Sequence, residues 1–341
     1  MRFARCGINA YRNWGDYTGL GSQTQVTFTE TGALWMLGGS RSDYHEMSQR
    51  LAAVGVRSHV LDERGVANAF PLLSTEPFPH LTEAGEVEER DYGSLAALHE
   101  EGAGHVDPAR CLDELLMVCR KAGVDVRFAC PVVGFSLTET ETETENGKKQ
   151  LKVKAVELAD GEVLECGLAA INAAGPWAPG LAQAAGLELP ATLEAVRVLV
   201  AHKWVDKDFL SLPFVADGWG DSGIYFMPRA ANSQLVVGSI GGARFESEVV
   251  RDPGQLSPAL DPDIKQEFLY RLHHRLPSLP PRGEVSGFSH MSLSLSLSVC
   301  VWVLASAVHS KPRGLPPFDW RDQGIGPVGV HGVQRARPQG E

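Results

Sequence analysis

The stretch of this chain best suited to holding a ligand is Asn172-Ala-Ala-Gly-Pro-Trp177. An apolar run, Leu168-Ala-Ala-Ile171, stops at Asn172, and Ala173, Ala174 and Gly175 then remove nearly all side-chain bulk. The pattern predicts a buried strand whose carboxyl end lets something large and flat approach the main chain, since small residues leave that space. In open α/β sheets, ligands sit outside the carboxyl ends of the strands. A tight strand-to-helix turn without a ligand needs the same small residues, so both readings stay open on these residues alone. The chain has no G-x-S-x-G nucleophile turn and no phosphate loop ending in Gly-Lys-Ser/Thr. Gly324-Ile-Gly326-Pro-Val-Gly329 is a formal G-x-G-x-x-G, but Pro327 and the short remainder leave no room for the helix that motif requires. His273 and His274 are neighbours in a helical pattern and point apart, so they make a poor metal pair; with Arg271 and Arg275 they are expected on a solvated basic face. His105 reads as a turn residue, Glu86, Glu88 and Glu89 as an exposed charge run, and Glu63 and Glu114 as helix surface. Trp14, Trp35 and Trp177 are expected in the core, with Trp177 also placed to shield a ligand at the bend.

Elements able to position such a bend need a sizeable fold. At 341 residues the chain is long enough for two domains, and 43% hydrophobic with 21% charged residues fits a folded protein with a substantial core. A net charge of −11 argues against a nucleic-acid partner, which would require a basic patch. Six scattered cysteines without a CxxC pair disfavour a zinc site or a disulfide framework and suit a reducing, intracellular setting. The opening residues lack the apolar segment of a secretory signal. The Ser-Leu alternation from Met291, running into an apolar stretch to Val308, is a strand signal and not a membrane span.

Strands are expected at Thr31–Gly38 and Val56–Leu61, and helices from Asp43 to Val54 and from Asp62 to Phe70, the latter capped by Asp62 and stopped before Pro71. Asp107-Pro108 opens the clearest helix. Asp107 caps it, Pro108 takes its first position, and Leu112, Leu115, Leu116 and Cys119 form its apolar face. Gly123 ends it, and Val124–Ala129 reads as the strand of an α/β unit. Three strands follow at Pro131–Thr138, Gln150–Leu158 and Glu162–Cys166, joined by turns at Asn146-Gly147 and Asp160-Gly161. The acidic repeat Thr138–Glu145 faces Lys148, Lys149, Lys152 and Lys154 across the first turn, a solvated hairpin tip. Ala195–Val205, Gly223–Pro228 and Gln234–Gly238 read as strands of a second sheet, and Asp263–Leu276 as an amphipathic helix.

The order of these pieces resembles the FAD-dependent oxidoreductases of the D-amino-acid oxidase, glycine oxidase and sarcosine oxidase group. The resemblance rests on Arg5 with Tyr11 and Thr31-Gly32, on Phe70-Pro-Leu-Leu73, and on His105-Val-Asp-Pro108 with the helix, Gly123 and the strand leading to Val132. It rests further on Ala173-Ala-Gly175 with Trp177, and on Gly223–Pro228 with Val237-Gly238. It spans about residues 5 to 288. The fold it implies is α+β: an incomplete α/β FAD-binding domain interleaved with an antiparallel substrate-binding sheet. The implied domains are 1–30 with 95–190 for FAD, including a β-meander at 131–166, and 31–94 with 191–290 for substrate, followed by a divergent, disordered tail at 291–341.

By that resemblance the cofactor is FAD. Val132 contacts its adenosine part through the backbone. Ala173, Ala174 and Gly175 let it approach the main chain, with Trp177 beside them. Arg5 lies near the isoalloxazine, and Tyr225 lines the substrate pocket and hydrogen-bonds an amino-acid carboxylate. The implied partner is a small amine or amino-acid substrate, with no nucleic acid and no membrane. The implied reaction is oxidation of the C–N bond of an amino acid or N-methyl amino acid by hydride transfer to flavin.

The chain also departs from the group. No strand and G-x-G-x-x-G turn precede Arg5, and Ile240 stands near where sarcosine oxidases place a catalytic histidine. These departures imply a truncated or rearranged member, and they keep open a non-catalytic one that binds no flavin and acts as an interaction protein.

Overall fold

A computed structural model describes residues 2–82, 85–143, 149–187, 193–240, 249–255, 259–280 and 285–295. Its elements in chain order are α1 (Arg2–Arg12), α2 (Trp14–Thr18), β1 (Ala33–Met36), α3 (Arg41–Ala52), β2 (Ser58–Asp62), α4 (Glu63–Ala69), β3 (His80–Leu81), β4 (Val87–Glu88) and β5 (Ala96–Glu100). Then follow α5 (Pro108–Lys121), β6 (Val132–Glu143), β7 (Lys149–Leu158), β8 (Val163–Glu165), α6 (Ala178–Ala184), β9 (Leu193–Trp204), β10 (Phe214–Asp217), β11 (Ile224–Arg229), β12 (Gln234–Ser239), α7 (Pro262–Arg275) and β13 (Val285–Leu295). The chain divides into two compact units, Met1–Cys300 and Val301–Glu341, and the second lies outside the described residues.

Local chemistry sets the helix starts. Ser40 and Asp43 form a reciprocal capping box on α3. Asp62 accepts from Gly65 N on α4, Asp107 from Ala109 N on α5, and Asp261 from Asp263 N on α7. Pro108 and Pro262 occupy the first positions of their helices, where a missing N–H costs nothing. The starts at Asp62 and Asp107-Pro108 match the sequence expectations, while α3 begins two residues before the expected Asp43 and α7 one before Asp263. β7, β8, the turn at Gly161 (φ +88°), β9, β11 and β12 lie on expected strands and turns, and β6 runs five residues past the expected Thr138. The Asn146-Gly147 turn lies outside the described residues.

Eight strands form one mixed sheet in the order β13-β9-β12-β11-β10-β1-β5-β2. Every pair in it is antiparallel except β1 with β10, which run parallel with Leu34 opposite Val215. One face carries Leu34, Met36, Val215, Ile224, Phe226 and Val237 into the core, against Phe268 and Leu272 of α7 and Val66 of α4. Over the β2–β5 end of the other face lies α3, where Tyr44 packs on Ala96 and Leu98. The meander β6-β7-β8 is a separate antiparallel sheet. β13 runs through the start of the Ser-Leu repeat, so residues 291–295 are strand and not disordered tail; the alternation lets them pair with β9 from Met291↔Arg197 to Leu295↔Leu193.

Several expectations are corrected. The segments 124–129 and 168–171 form no strand. Phe128 is 66% exposed, Leu168 60% and Ile171 68%, because no described strand lies beside either segment to pair with it. On α5 the expected apolar face is turned outward at Leu112 (67% exposed), while Cys111 and Glu114 face inward. Glu114 is buried because it ties 14–26 to α5: it accepts from Trp14 Nε1 (2.9 Å), Thr24 Oγ1 (2.7 Å) and Gln25 N (2.6 Å). Burial pushes its carboxyl upward, but these bonds outweigh that and hold it below the usual carboxylate range. Arg271 and Arg275 are buried too. Arg275 forks onto Asp217 (Nε 2.8 Å, Nη2 3.1 Å), and both side chains are fully buried. Arg271 pairs with Glu267 and sits over the Phe78 ring. Trp177 is 51% exposed and not core.

Candidate active site

The face of the large sheet opposite its core carries a row of rings. Trp35 of β1, Phe214 of β10 and Tyr225 of β11 follow one another, with centroids 5.5 Å and 5.8 Å apart. Period-2 alternation puts them there: along β11 the buried Ile224, Phe226 and Pro228 alternate with the half-buried Tyr225, Met227 and Arg229. Tyr225 lies across Gly238 of β12, its partner in the ladder. A Cβ at Gly238 would come within 2.5 Å of Cε1, Cζ and Oη of that ring, so glycine is what lets the phenol lie flat there. Burial pushes the Tyr225 phenol above its ordinary value, and it stays protonated at neutral pH as a hydrogen-bond donor. Glu100 at the other end of the row is also pushed up by burial, an effect partly offset by the Trp35 side chain. His202, two strands from β11, is pushed down by burial and then by the nearby Arg229 charge, which keeps it neutral.

The bend singled out in the sequence stands open. Gly175 has φ +53°, and a Cβ placed there would meet nothing within 4 Å. Asn172 holds the bend with both ends of its amide, donating to Ala178 O and accepting from Ala174 N. Ala173 and Gly175 are exposed and Ala174 is half-buried. The α6 helix that follows packs on β6, whose first residue is Val132, and the turn Gly175–Trp177 touches β13. The strand that Val132 opens is thus packed on the helix following the bend, and the turn itself touches β13, the edge strand of the large sheet. From β13 to β11 is three strand spacings, about 14 Å at ~4.8 Å each.

Arg5 sits elsewhere. Its Nη1 donates to Val54 O (2.5 Å) beside Gly55, where α3 ends, and it lines a cleft of about 400 Å³ with Arg12, Glu30, Arg57 and Glu100. None of Val132, Ala173, Ala174, Gly175, Trp177 or Tyr225 lines that cleft. Sequence reasoning missed Arg229 and His202, although the alternation that marks Tyr225 also marks Arg229 on the same face. Among the described residues no cluster of His, Cys, Asp and Glu could hold a metal ion, and no helix is long and apolar enough to cross a membrane.

An eight-stranded mixed sheet with an aromatic row beside an open, small-residue bend suits a protein that presents a flat cofactor to a small substrate. Residues 1–293 match the family described as FAD dependent oxidoreductase (DAO), and the chain belongs to that family. Its cofactor is FAD. Among solved structures the chain is similar to glycine oxidase from Geobacillus kaustophilus (TM-score 0.62, 14% identity, 86% of this chain and 67% of that one). It is also similar to L-proline dehydrogenase from P. horikoshii (TM-score 0.60, 15% identity, 85% of this chain and 66% of that one) and to iminodiacetate oxidase from Chelativorans sp. BNC1 (TM-score 0.55, 17% identity, 87% and 69%). At these identities the likeness is one of fold. The chain spans just under two thirds of the proline dehydrogenase. No curated protein matches it in sequence.

Proposed function

We propose that this protein oxidises the C–N bond of an amino acid or N-methyl amino acid with FAD as hydride acceptor. FAD supplies the redox chemistry when bound, and the chain supplies binding, orientation and exclusion of water. In this reading Val132 holds the adenosine end through its backbone, the open bend Ala173-Ala174-Gly175 admits the dinucleotide, and Trp177 covers it. Tyr225 donates its phenolic hydrogen to the substrate carboxylate and fixes which carbon faces the flavin. Gly238 keeps that ring flat, and Phe214 and Trp35 back it. The FAD part is 1–30 with 95–190 and the substrate part 31–94 with 191–290, although β5, just past Leu95, pairs within the large sheet. Arg5 fixes α1 to the end of α3 and is proposed to face the isoalloxazine from the cleft it shares with Glu100.

What supports the reading is the empty space over Gly175, in a turn that touches the edge strand of the sheet carrying Tyr225. The test is spectroscopic. The purified full chain, incubated with FAD and desalted, is expected to keep a visible flavin absorbance that an amino-acid or N-methyl amino-acid substrate bleaches without oxygen. A chain that stays colourless rejects the proposal.

A further inference from the structure

Arg229 closes β11 half-buried, yet its guanidinium makes no hydrogen bond and no ion pair among the described residues. The two buried arginines among the described residues are both matched, Arg275 by Asp217 and Arg271 by Glu267. A guanidinium carries five donors and cannot shed its charge, so partial burial without an acceptor is unfavourable unless something else supplies one. The space in front of Arg229 is a cleft of about 180 Å³, which it shares with Thr27, Thr29, His105, Asp107 and Arg110. Asp107 does not serve as its acceptor. That carboxylate is committed to Ala109 N and Arg110 N at the start of α5, and its nearest cation is Arg110, at 3.9 Å. His105 is held neutral by burial, so it adds hydrogen-bonding capacity without charge. Two guanidinium groups against one carboxylate leave the cleft net positive. Directly across the ladder from Arg229, the buried Gln234 keeps its side-chain oxygen without a donor.

The strand fixes where this cleft stands relative to Tyr225. The two residues are four apart and share the half-buried face of β11, so their Cα atoms are about 14 Å apart at ~3.4 Å per residue. That is the length of roughly four extended residues, at about 3.3–3.6 Å each. A substrate that engages both residues lies along β11, a run that suits an elongated molecule better than a glycine-sized one.

We propose that Arg229 is the anchor of an oxyanion subsite that takes the distal carboxylate of an elongated amino-acid substrate, whose reacting C–N bond lies at Tyr225. The word substrate rests on the amine-oxidising reading; the anion subsite does not. A carboxylate offers the two coplanar oxygens that a guanidinium fork matches, and the threonine hydroxyls of the cleft can turn to donate to it.

The test titrates glutarate, and separately inorganic phosphate, into the purified full chain by calorimetry. Glutarate is expected to bind. Arg229→Gln is expected to weaken it about 10–100-fold, the scale of one lost charge-assisted pair. Arg229→Lys is expected to recover part of that loss. Far-UV circular dichroism confirms that each variant is folded, and the rise in Tm with glutarate is expected to vanish in Arg229→Gln. Unchanged glutarate affinity in Arg229→Gln overturns the proposal, as does a wild-type chain that binds neither probe. Phosphate binding tighter than glutarate, with the same dependence on Arg229, overturns the assignment to a substrate carboxylate. Arg229-dependent glutarate binding by a chain that takes up no FAD leaves the subsite standing and removes the flavoenzyme reading. A chain that bleaches with amino acids, but in which Arg229→Gln leaves the wild-type ratio of kcat/KM for long diacids over short monoacids unchanged, does the reverse.

Discussion

Gly238→Ala tests the geometry of the candidate site most directly. The new Cβ would stand 2.5 Å from three atoms of the Tyr225 ring, where ordinary contact begins near 3.4 Å, so roughly 1 Å of overlap must be relieved. The backbone cannot yield cheaply, since Gly238 is laddered to Tyr225 on one side and to Val200 on the other. The ring must yield. It then loses its stack on Phe214, about 0.5–1.5 kcal/mol, and leaves a favoured rotamer at a further ~0.5–1.5 kcal/mol. The expected destabilisation is about 1–3 kcal/mol, the usual scale for overpacking. It is measured by urea denaturation and apportioned by a double-mutant cycle. In a Tyr225→Ala background the same Gly238→Ala change should cost less than about 0.5 kcal/mol, because nothing remains to collide with. Equal costs in both backgrounds, or no cost in the wild type, would refute the view that glycine is present to seat this ring.

The buried fork gives a larger effect. Asp217→Ala strands Arg275 and removes the acceptor for Ser222 Oγ and Trp219 N, so a loss of about 3–5 kcal/mol is expected in urea unfolding. Glu114 carries a pH dependence. Its folded-state carboxyl lies below the unfolded value, so its stabilisation is complete above about pH 4.3 and fades as pH falls through the folded value. Unfolding curves between about pH 5 and 3 should therefore slope less steeply in Glu114→Gln than in the wild type. Ala173→Leu places an exposed side chain in the open bend. It should leave the denaturation midpoint unchanged while weakening FAD retention at least ~10-fold by fluorescence titration, and full retention would show that the bend is not the approach path.

Much of the fold was legible because its signals are local. Asp62 and Asp107-Pro108 announce helix starts, Asp160-Gly161 a hairpin, and the apolar run Gly223–Pro228 a strand. The misread positions depend on partners remote in sequence. Arg275 reads as solvated until Asp217 is brought to it, and Glu114 reads as surface until Trp14, Thr24 and Gln25 converge on it. Leu168 and Ile171 fail in the opposite sense: an apolar run signals a buried strand only where a neighbouring strand exists to bury it. Tyr225 was reached by resemblance alone. Arg229 was missed because nothing in the local pattern says that a guanidinium will lack a mate.

The parallel pairing of β1 with β10 bears on how the protein is made. Ala33–Met36 must wait for Phe214–Asp217, which leave the ribosome roughly 10–40 s later at ~5–20 residues per second. Throughout that interval the nascent amino-terminal strands show an unsatisfied edge to solvent or to any chaperone present, and the sheet can close only once its middle arrives. Yield during expression should therefore respond more to slowed translation between these two segments than to slowed translation after Ser239.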